Sequence, residues 1–327
     1  SNPAAQWFWS WDIPPLLFHK TFLMLLRTQQ LTKDYGRFRA LDALDLEVRP
    51  GEICGILGPN GSGKSTALRL LLGFMRPTAG QAWIAGHDCW HDSVHARQHV
   101  TYLPGELRLY ENMTGRQLIG FLGRLRRQPA KGDVERLART FDIDVARPLA
   151  QLSSGMKRKV ALLAVLAPRT PLVILDEPTN TLDPTMRDEL MGQLRQARDQ
   201  GQAVLFSSHV LIEVEQVCDR VAILQQGRLA HVQAMAELRE VRRVRARFGG
   251  VVGALPELPG LRGVERRGAP PRSQGHLGNE AGETVTFEYA GPLRDLLGWL
   301  AHQDVLDLKI EPLGLAGIYH RYHGTEA

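Results

Sequence analysis

The residues Gly58-Pro59-Asn60-Gly61-Ser62-Gly63-Lys64-Ser65-Thr66 constrain this chain more than any others. They match G-x-x-x-x-G-K-[ST], a phosphate-binding loop set between a strand and a helix. The run before it, Glu52 to Leu57, reads as a buried strand, and Ala67 to Leu72 reads as a helix. The glycines let backbone N–H groups turn inward and approach phosphate oxygens closely. The helix N-terminus adds partial positive charge behind them. Lys64 is spaced to reach β- and γ-phosphates, and Ser65 to offer its hydroxyl to Mg²⁺. The loop implies a nucleoside triphosphate and leaves open what the energy drives.

The surrounding pattern is α/β. Leu172 to Leu175 and Ala203 to Phe206 are short all-apolar runs, as expected of central parallel strands covered on both faces. A helical pattern over Met186 to Arg198 alternates with them. Leu26 to Val48 reads as strand, turn and strand, with the turn at Tyr35-Gly36. Residues from about 110 to 165 read as mostly helical. After Leu238 the composition changes. Val241 to Phe248 alternates apolar residues with arginine and reads as an edge strand with a solvated face. Residues 266–283 read as a flexible loop, and strands at Thr284–Tyr289 and Val305–Ile310 flank a helix from Pro292 to His302. The expected division is an extension at 1–23, a nucleotide-binding domain at 24–238 and a small α+β domain at 239–327.

The length of 327 residues suits two domains, and 43% hydrophobic with 23% charged residues is a soluble composition. The charge of +5 is ascribed to a solvated surface, and no nucleic-acid partner is expected. Cys54, Cys89 and Cys218 show no C-x-x-C spacing and read as reduced thiols. None of the eleven histidines is read as part of a metal site. At the N-terminus, Trp7 to Trp11 and Leu16 to Phe18 are apolar, but Asp12, Pro14, Pro15, His19 and Lys20 interrupt them before they could span a bilayer. Met24 stands just before the first strand, so residues 1–23 are expected to lie upstream of the natural start. The alternative is an interfacial anchor.

Two further segments carry chemistry. Asp176 and Glu177 end an apolar strand, where they would face the same crevice as the phosphate loop. Asp176 fits a Mg²⁺ holder, and Glu177 fits a group that polarises the attacking water. Leu152-Ser153-Ser154-Gly155-Met156 precedes a helix expected to begin near Lys157, and its serines and glycine suit a cap that exposes N–H groups to an anion.

With these in place, residues 25–235 resemble the ATP-binding subunit of an ABC transporter. Leu152–Met156 is similar to that family's signature, Pro178-Thr179-Asn180-Thr181-Leu182-Asp183-Pro184 to its D-loop, and Ser207-Ser208-His209 to its switch histidine. Tyr35 matches the aromatic that stacks on adenine. The resemblance implies a P-loop NTPase core with a parallel sheet, an antiparallel β subdomain and a helical subdomain. It implies ATP and Mg²⁺, with Lys64, Glu177 and His209 acting in hydrolysis. It also implies a head-to-tail dimer: each ATP lies between Gly58–Thr66 of one copy and Ser153, Ser154 and Gly155 of the other, with Asp183 at the interface. The permease would be a separate membrane chain, and the subunit would sit at the cytoplasmic face of a bacterial membrane. The rival is an ABC ATPase acting on nucleic acid or ribosomes.

The sequence departs from the family pattern in places. Gly105 stands where the family usually has Gln, and Glu106 is the expected substitute near the metal. Ser154 and Met156 replace Gly and Gln in the signature, and Asn180-Thr181 replaces Ser-Gly in the D-loop. Ile310 to Leu313 followed by Ile318 to Tyr322 is similar to the tail of bacterial type-2 drug, antibiotic and lipid exporters, although Ala316-Gly317 replaces an acidic pair.

Overall fold

The computed structural model describes residues 24–126, 133–250, 252–253, 255–256, 258–268 and 282–323. The expected extension and most of the expected 266–283 loop lie outside them. Strands β1 (Leu26–Tyr35), β2 (Phe38–Leu44) and β3 (Glu47–Val48) come first. Strand β4 (Ile53–Leu57) leads through the phosphate loop to α1 (Lys64–Leu71). There follow β5 (Ala79–Ile84), β6 (His87–Asp88), α2 (Ser93–Gln98) and β7 (Val100–Leu103). A helical stretch holds α3 (Gly115–Leu125), α4 (Asp133–Thr140) and α5 (Ser154–Leu166). Next come β8 (Leu172–Asp176), α6 (Pro184–Asp199), β9 (Ala203–Ser208), α7 (Leu211–Val217), β10 (Arg220–Gln225), β11 (Arg228–Ala234) and α8 (Met235–Glu240). The chain ends with β12 (Arg242–Phe248), β13 (Leu261–Arg267), β14 (Glu283–Tyr289), α9 (Leu293–Leu300), β15 (Val305–Pro312) and α10 (Gly314–His323).

The central sheet has the order β11-β10-β4-β9-β8-β7, and every pairing is parallel except that of β11. Its apolar strands serve two cores by simple alternation. Ile53, Leu57, Val173, Leu175, Val204 and Phe206 face one cluster, shared with α5, α6 and α7. Cys54, Ile56, Leu172, Ile174, Ala203 and Leu205 face a second, shared with α1 and the antiparallel sheet. Burial on both faces explains why these runs carry no polar residue.

The antiparallel sheet has the order β2-β1-β5-β6, with β3 also paired to β1. Buried Thr28 joins β1 across the gap between β2 and β3. Its hydroxyl donates to Leu44 O at 2.8 Å and accepts from Leu46 N at 2.7 Å. In the helical part, Thr114 and Gln117 form a reciprocal capping box that starts α3.

The third sheet runs β13-β14-β12-β15, with α9 against a core of Val244, Phe248, Phe287, Tyr289 and Leu296. This corrects the placing of β12, which is interior rather than an edge strand. Its arginines are tolerated there by cross-strand neighbours: Arg243 lies opposite Glu288 and Glu311, and Arg247 opposite Asp307. Strand β13 was not expected. Its residues from Arg262 onward are exposed, so it shows no buried alternation. Helix α10 leaves this sheet: Leu313, Leu315 and Ile318 join the large core, and the Glu215 carboxylate accepts Leu315 N.

The three cysteines are buried, unpaired thiols. Burial pushes the Cys54 and Cys89 thiols up to about 12, so neither is a ready nucleophile. The histidines set aside by the sequence reading do carry an H-x-x-x-H spacing. His87, His91, His95 and His99 recur at every fourth position. Strand β6 and helix α2 bring three of the four close together, with the rings of His87 and His95 stacked at 5.5 Å and those of His87 and His99 at 5.3 Å.

Candidate active site

Three parallel strands deliver the site to one edge of the central sheet. Strand β4 ends in the phosphate loop, β8 in Asp176 and Glu177, and β9, which lies between them, in Ser207-Ser208 before His209. Pairing of Leu57 with Ser208 and of Asp176 with Ser207 sets the three strand ends level. A crevice beyond the C-terminal ends of parallel strands is where open α/β sheets bind ligands.

Two glycines of the loop are required by close approach. A Cβ at Gly58 would meet Leu224 O and Ser62 Oγ at 2.5 Å. Gly63 caps α1 at φ 103°, where a Cβ would lie 2.8 Å from Ala40 O. Lys64 is only 5% exposed, and its ammonium donates to Gly58 O at 2.6 Å and Pro59 O at 3.1 Å. Burial pushes its pKa down, while Glu177 and Asp176 pull it up. Pro59, Asn60, Gly61 and Ser65 are exposed, and Thr66 is half-buried. Buried Ser62 Oγ has no hydrogen-bond partner. The first-turn N–H groups of α1 have no partner within the helix. An ammonium, an orphan hydroxyl and free amides around one loop fit a polyphosphate.

Opposite stand the carboxylates. Ser207 Oγ donates to Asp176 Oδ1 at 2.6 Å and accepts Glu177 N at 3.1 Å, so one hydroxyl ties the two together. Glu177 has φ 45°, a left-handed conformation rare for a non-glycine residue. Its Oε2 accepts Asn180 Nδ2 at 2.9 Å, and its Oε1 lies 3.2 Å from His209 Nδ1. Burial pushes the Glu177 carboxyl up. Asn180, His209 and Lys64 outweigh that and hold it below the usual carboxylate range. Glu177 is therefore ionised at neutral pH.

Sequence reasoning missed two residues that hold this arrangement. Arg158, on α5 and 2% exposed, donates to five main-chain carbonyls. It binds Pro104 and Gly105 at 2.8 and 3.0 Å, Asp176 and Glu177 at 3.2 and 2.5 Å, and Pro178 at 3.1 Å. Buried Glu213 accepts Thr179 Oγ1 at 2.9 Å and Ser208 Oγ at 3.1 Å, joining the turn after Glu177 to the residue before His209.

Among the described residues no hydrogen bond joins the remaining expected residues to Lys64. Ser153 is the N-cap of α5, accepting Met156 N at 3.3 Å, so that helix begins at Ser154, earlier than expected. A Cβ at Gly155 would sit 3.1 Å from Thr181 O. Asp183 caps α6, accepting Met186 N at 2.9 Å. Among the described residues no hydrogen bond joins Ser153–Gly155 to Gly58–Thr66. Tyr35 is 45% exposed, with its hydroxyl on Met75 Sδ at 3.0 Å and Lys33 over its ring at 5.4 Å. Glu106 is exposed, whereas a Cβ at Gly105 would lie 3.5 Å from Asp176 Oδ2.

Comparison with known proteins accounts for this combination. Residues 41–180 match the family profile described as ABC transporter. The chain is 34% identical over 238 residues to the daunorubicin resistance ATP-binding protein DrrA3 of Streptomyces coeruleorubidus, covering 68% of this chain and 75% of that protein. The chain belongs to the ABC transporter ATPase family. The probable multidrug ABC transporter ATP-binding protein YbhF of Escherichia coli K12 is 33% identical over 63% of this chain, but this chain spans only 36% of its length. The sulfate/thiosulfate import ATP-binding protein CysA of Xylella fastidiosa is 34% identical, covering 77% of each chain. A solved ATP-binding subunit of an ABC transporter superposes with a TM-score of 0.61 at 28% identity, covering 66% of this chain and 92% of that one. This ABC chain is thus an ATP-binding cassette with an α/β P-loop core. Among its described residues no helix is long and apolar enough to cross a membrane.

Proposed function

We propose that this cassette hydrolyses ATP and that the cycle drives a separate membrane permease of an exporter. The observation that carries the reading is the gathering of Lys64, Asp176, Glu177 and His209 at one sheet edge, with His209 on Glu177 at 3.2 Å. The Ser65 hydroxyl and the Asp176 carboxylate supply hard oxygens for Mg²⁺, an ion that neutralises phosphate charge when bound. Glu106 joins them only by bringing its exposed side chain past Gly105. Lys64 turns from the loop carbonyls to phosphate oxygens. Glu177 takes a proton from the attacking water, and His209 contacts the terminal phosphate. Tyr35 offers a ring face to adenine.

Ser153, Ser154, Gly155 and Asp183 complete the site of a second copy packed head to tail. The exposure of Ser153, Ser154 and Asp183, and the lack of any hydrogen bond from Ser153–Gly155 to the phosphate loop among the described residues, support that reading. Export is supported by the drug-resistance relatives and by the tail sequence. The working location is then the cytoplasmic face of a bacterial membrane. We also read residues 24–238 as the cassette and 239–327 as an accessory domain whose last helix returns to the cassette core. If the site is shared, ATP turnover per chain rises with protein concentration. Phosphate release measured across a dilution series tests this, and a turnover per chain that stays constant through the monomer range would remove the shared site.

The pH dependence follows from Glu177. Its lowered pKa keeps it ionised well into acid, and activity is lost only as pH falls through that folded value. Asn180→Ala removes the first of the groups that hold the pKa down, so burial then raises it. The acid limb of the pH–rate profile moves to higher pH. An unmoved limb would mean that Asn180 does not tune Glu177.

A further inference from the structure

We propose that His87, Asp92 and His95 form a transition-metal site that takes Zn²⁺, separate from the nucleotide site. One nitrogen of each imidazole and a carboxylate oxygen lie within 4.8 Å of one another. Asp92 sits between the two histidines, with Oδ2 2.8 Å from His87 Nδ1 and Oδ1 2.5 Å from His95 Nδ1. Ligands on a tetrahedral zinc, with bonds of about 2.0–2.2 Å, stand roughly 3.3 Å apart. Each His–Asp pair therefore needs to open by less than about 1 Å, and a pair near the 4.8 Å bound needs to close by about 1.5 Å, to accept the ion. Side chains that are each more than a third exposed can move that far without disturbing the core.

The backbone that presents these groups is fixed. Asp92 begins α2, its N–H donating to Asp88 O at 3.0 Å and its carbonyl accepting Ala96 N at 3.0 Å. His95 follows one turn later on α2, and His87 comes from β6. Buried Cys89 and Ala96 pin the segment to the core, and Arg97 ties it to Leu72 O at 3.1 Å. The donor set decides the metal class. Two imidazoles and one carboxylate suit zinc and its borderline neighbours, whereas Mg²⁺ and Ca²⁺ prefer all-oxygen shells. Three protein ligands leave a fourth position, and the exposure of His95 leaves it open to water. His99 also stacks on His87, with ring centroids 5.3 Å apart.

The test is calorimetric titration of the metal-stripped full chain with ZnCl₂, without nucleotide or Mg²⁺, beside His95→Ala and His87→Gln. The expected result is one Zn²⁺ per chain at this site, bound about tenfold or more weaker in each variant. Zn²⁺ also raises the melting temperature of the unaltered chain and not that of the variants. Equal binding by all three chains, or no binding by the unaltered chain, overturns the proposal and leaves a hydrogen-bonded His–Asp–His cluster only. His95 is the more exposed ligand, so if His87→Gln fails to fold, His95→Ala decides alone.

Discussion

Glu177→Gln is expected to lower ATP turnover by at least about a hundredfold while leaving ATP bound, since positioned acid–base groups contribute about 10²–10⁴. The substitution is nearly isosteric. The amide oxygen of glutamine can still accept from Asn180, so the strained turn at φ 45° keeps its support. An amide does not take up a proton, so water near the γ-phosphate is held without being activated. Affinity and turnover should therefore separate, with KM for ATP little changed and kcat collapsed. The variant should also accumulate as an ATP-bound dimer on sizing in Mg²⁺, because the closed state persists while the terminal phosphate remains. Two results would count against this account. A loss below about tenfold means that Glu177 is not the base. Tight ATP binding by a persistent monomer means that Ser153–Gly155 of a second copy do not complete the site.

The parts of this site that were legible in the sequence are those that need a particular side chain at a particular spacing. Gly58 and Gly63 are glycines because backbone oxygens stand where a Cβ would be, and Lys64 and Ser65 follow at the helix start. Asp176 was readable because the four apolar residues before it suit a short strand buried on both faces. What the sequence hid is mostly bonding to the main chain. The five acceptors of Arg158 are carbonyls, which every residue carries, so nothing at positions 104, 105, 176, 177 or 178 announces the contact. Strand order is hidden for the same reason. The alternation in β12 shows which face is buried but not whether one strand or two pair with it, since ladder hydrogen bonds ignore side chains. The histidines differ. Their four-residue spacing is plain in the sequence, but His87 stands on a strand and His95 on a helix, so the cluster depends on the turn that carries Asp92 between them.

Arg158→Met is the second large effect, and it tests whether the carboxylates depend on a residue that touches neither of their side chains. The guanidinium fork is planar, with five N–H donors in fixed directions. It spans from Pro104-Gly105, across the main chain of Asp176 and Glu177, to Pro178 at the head of the D-loop. Methionine fills a similar volume and donates nothing, so several carbonyls around this buried side chain lose their partner. Leaving such groups unpaired costs on the order of 3 kcal/mol. In a cassette of this size that corresponds to a fall in melting temperature of roughly 6–12 °C. The functional loss should exceed the stability loss. Glu177 is held at a positive φ by its neighbours, and a shift of about 1 Å in a reacting group costs about a hundredfold. We expect kcat to fall by that factor at temperatures where the variant is fully folded, with ATP affinity nearly kept because, among the described residues, no hydrogen bond joins Gly58–Thr66 to Arg158. Arg158→Lys separates charge from geometry: an ammonium keeps the positive charge beside Asp176 and Glu177 but cannot span the same set of carbonyls. If Lys restores kcat, the charge alone matters. If Met melts lower yet keeps the native kcat, Arg158 stabilises the fold without positioning Glu177.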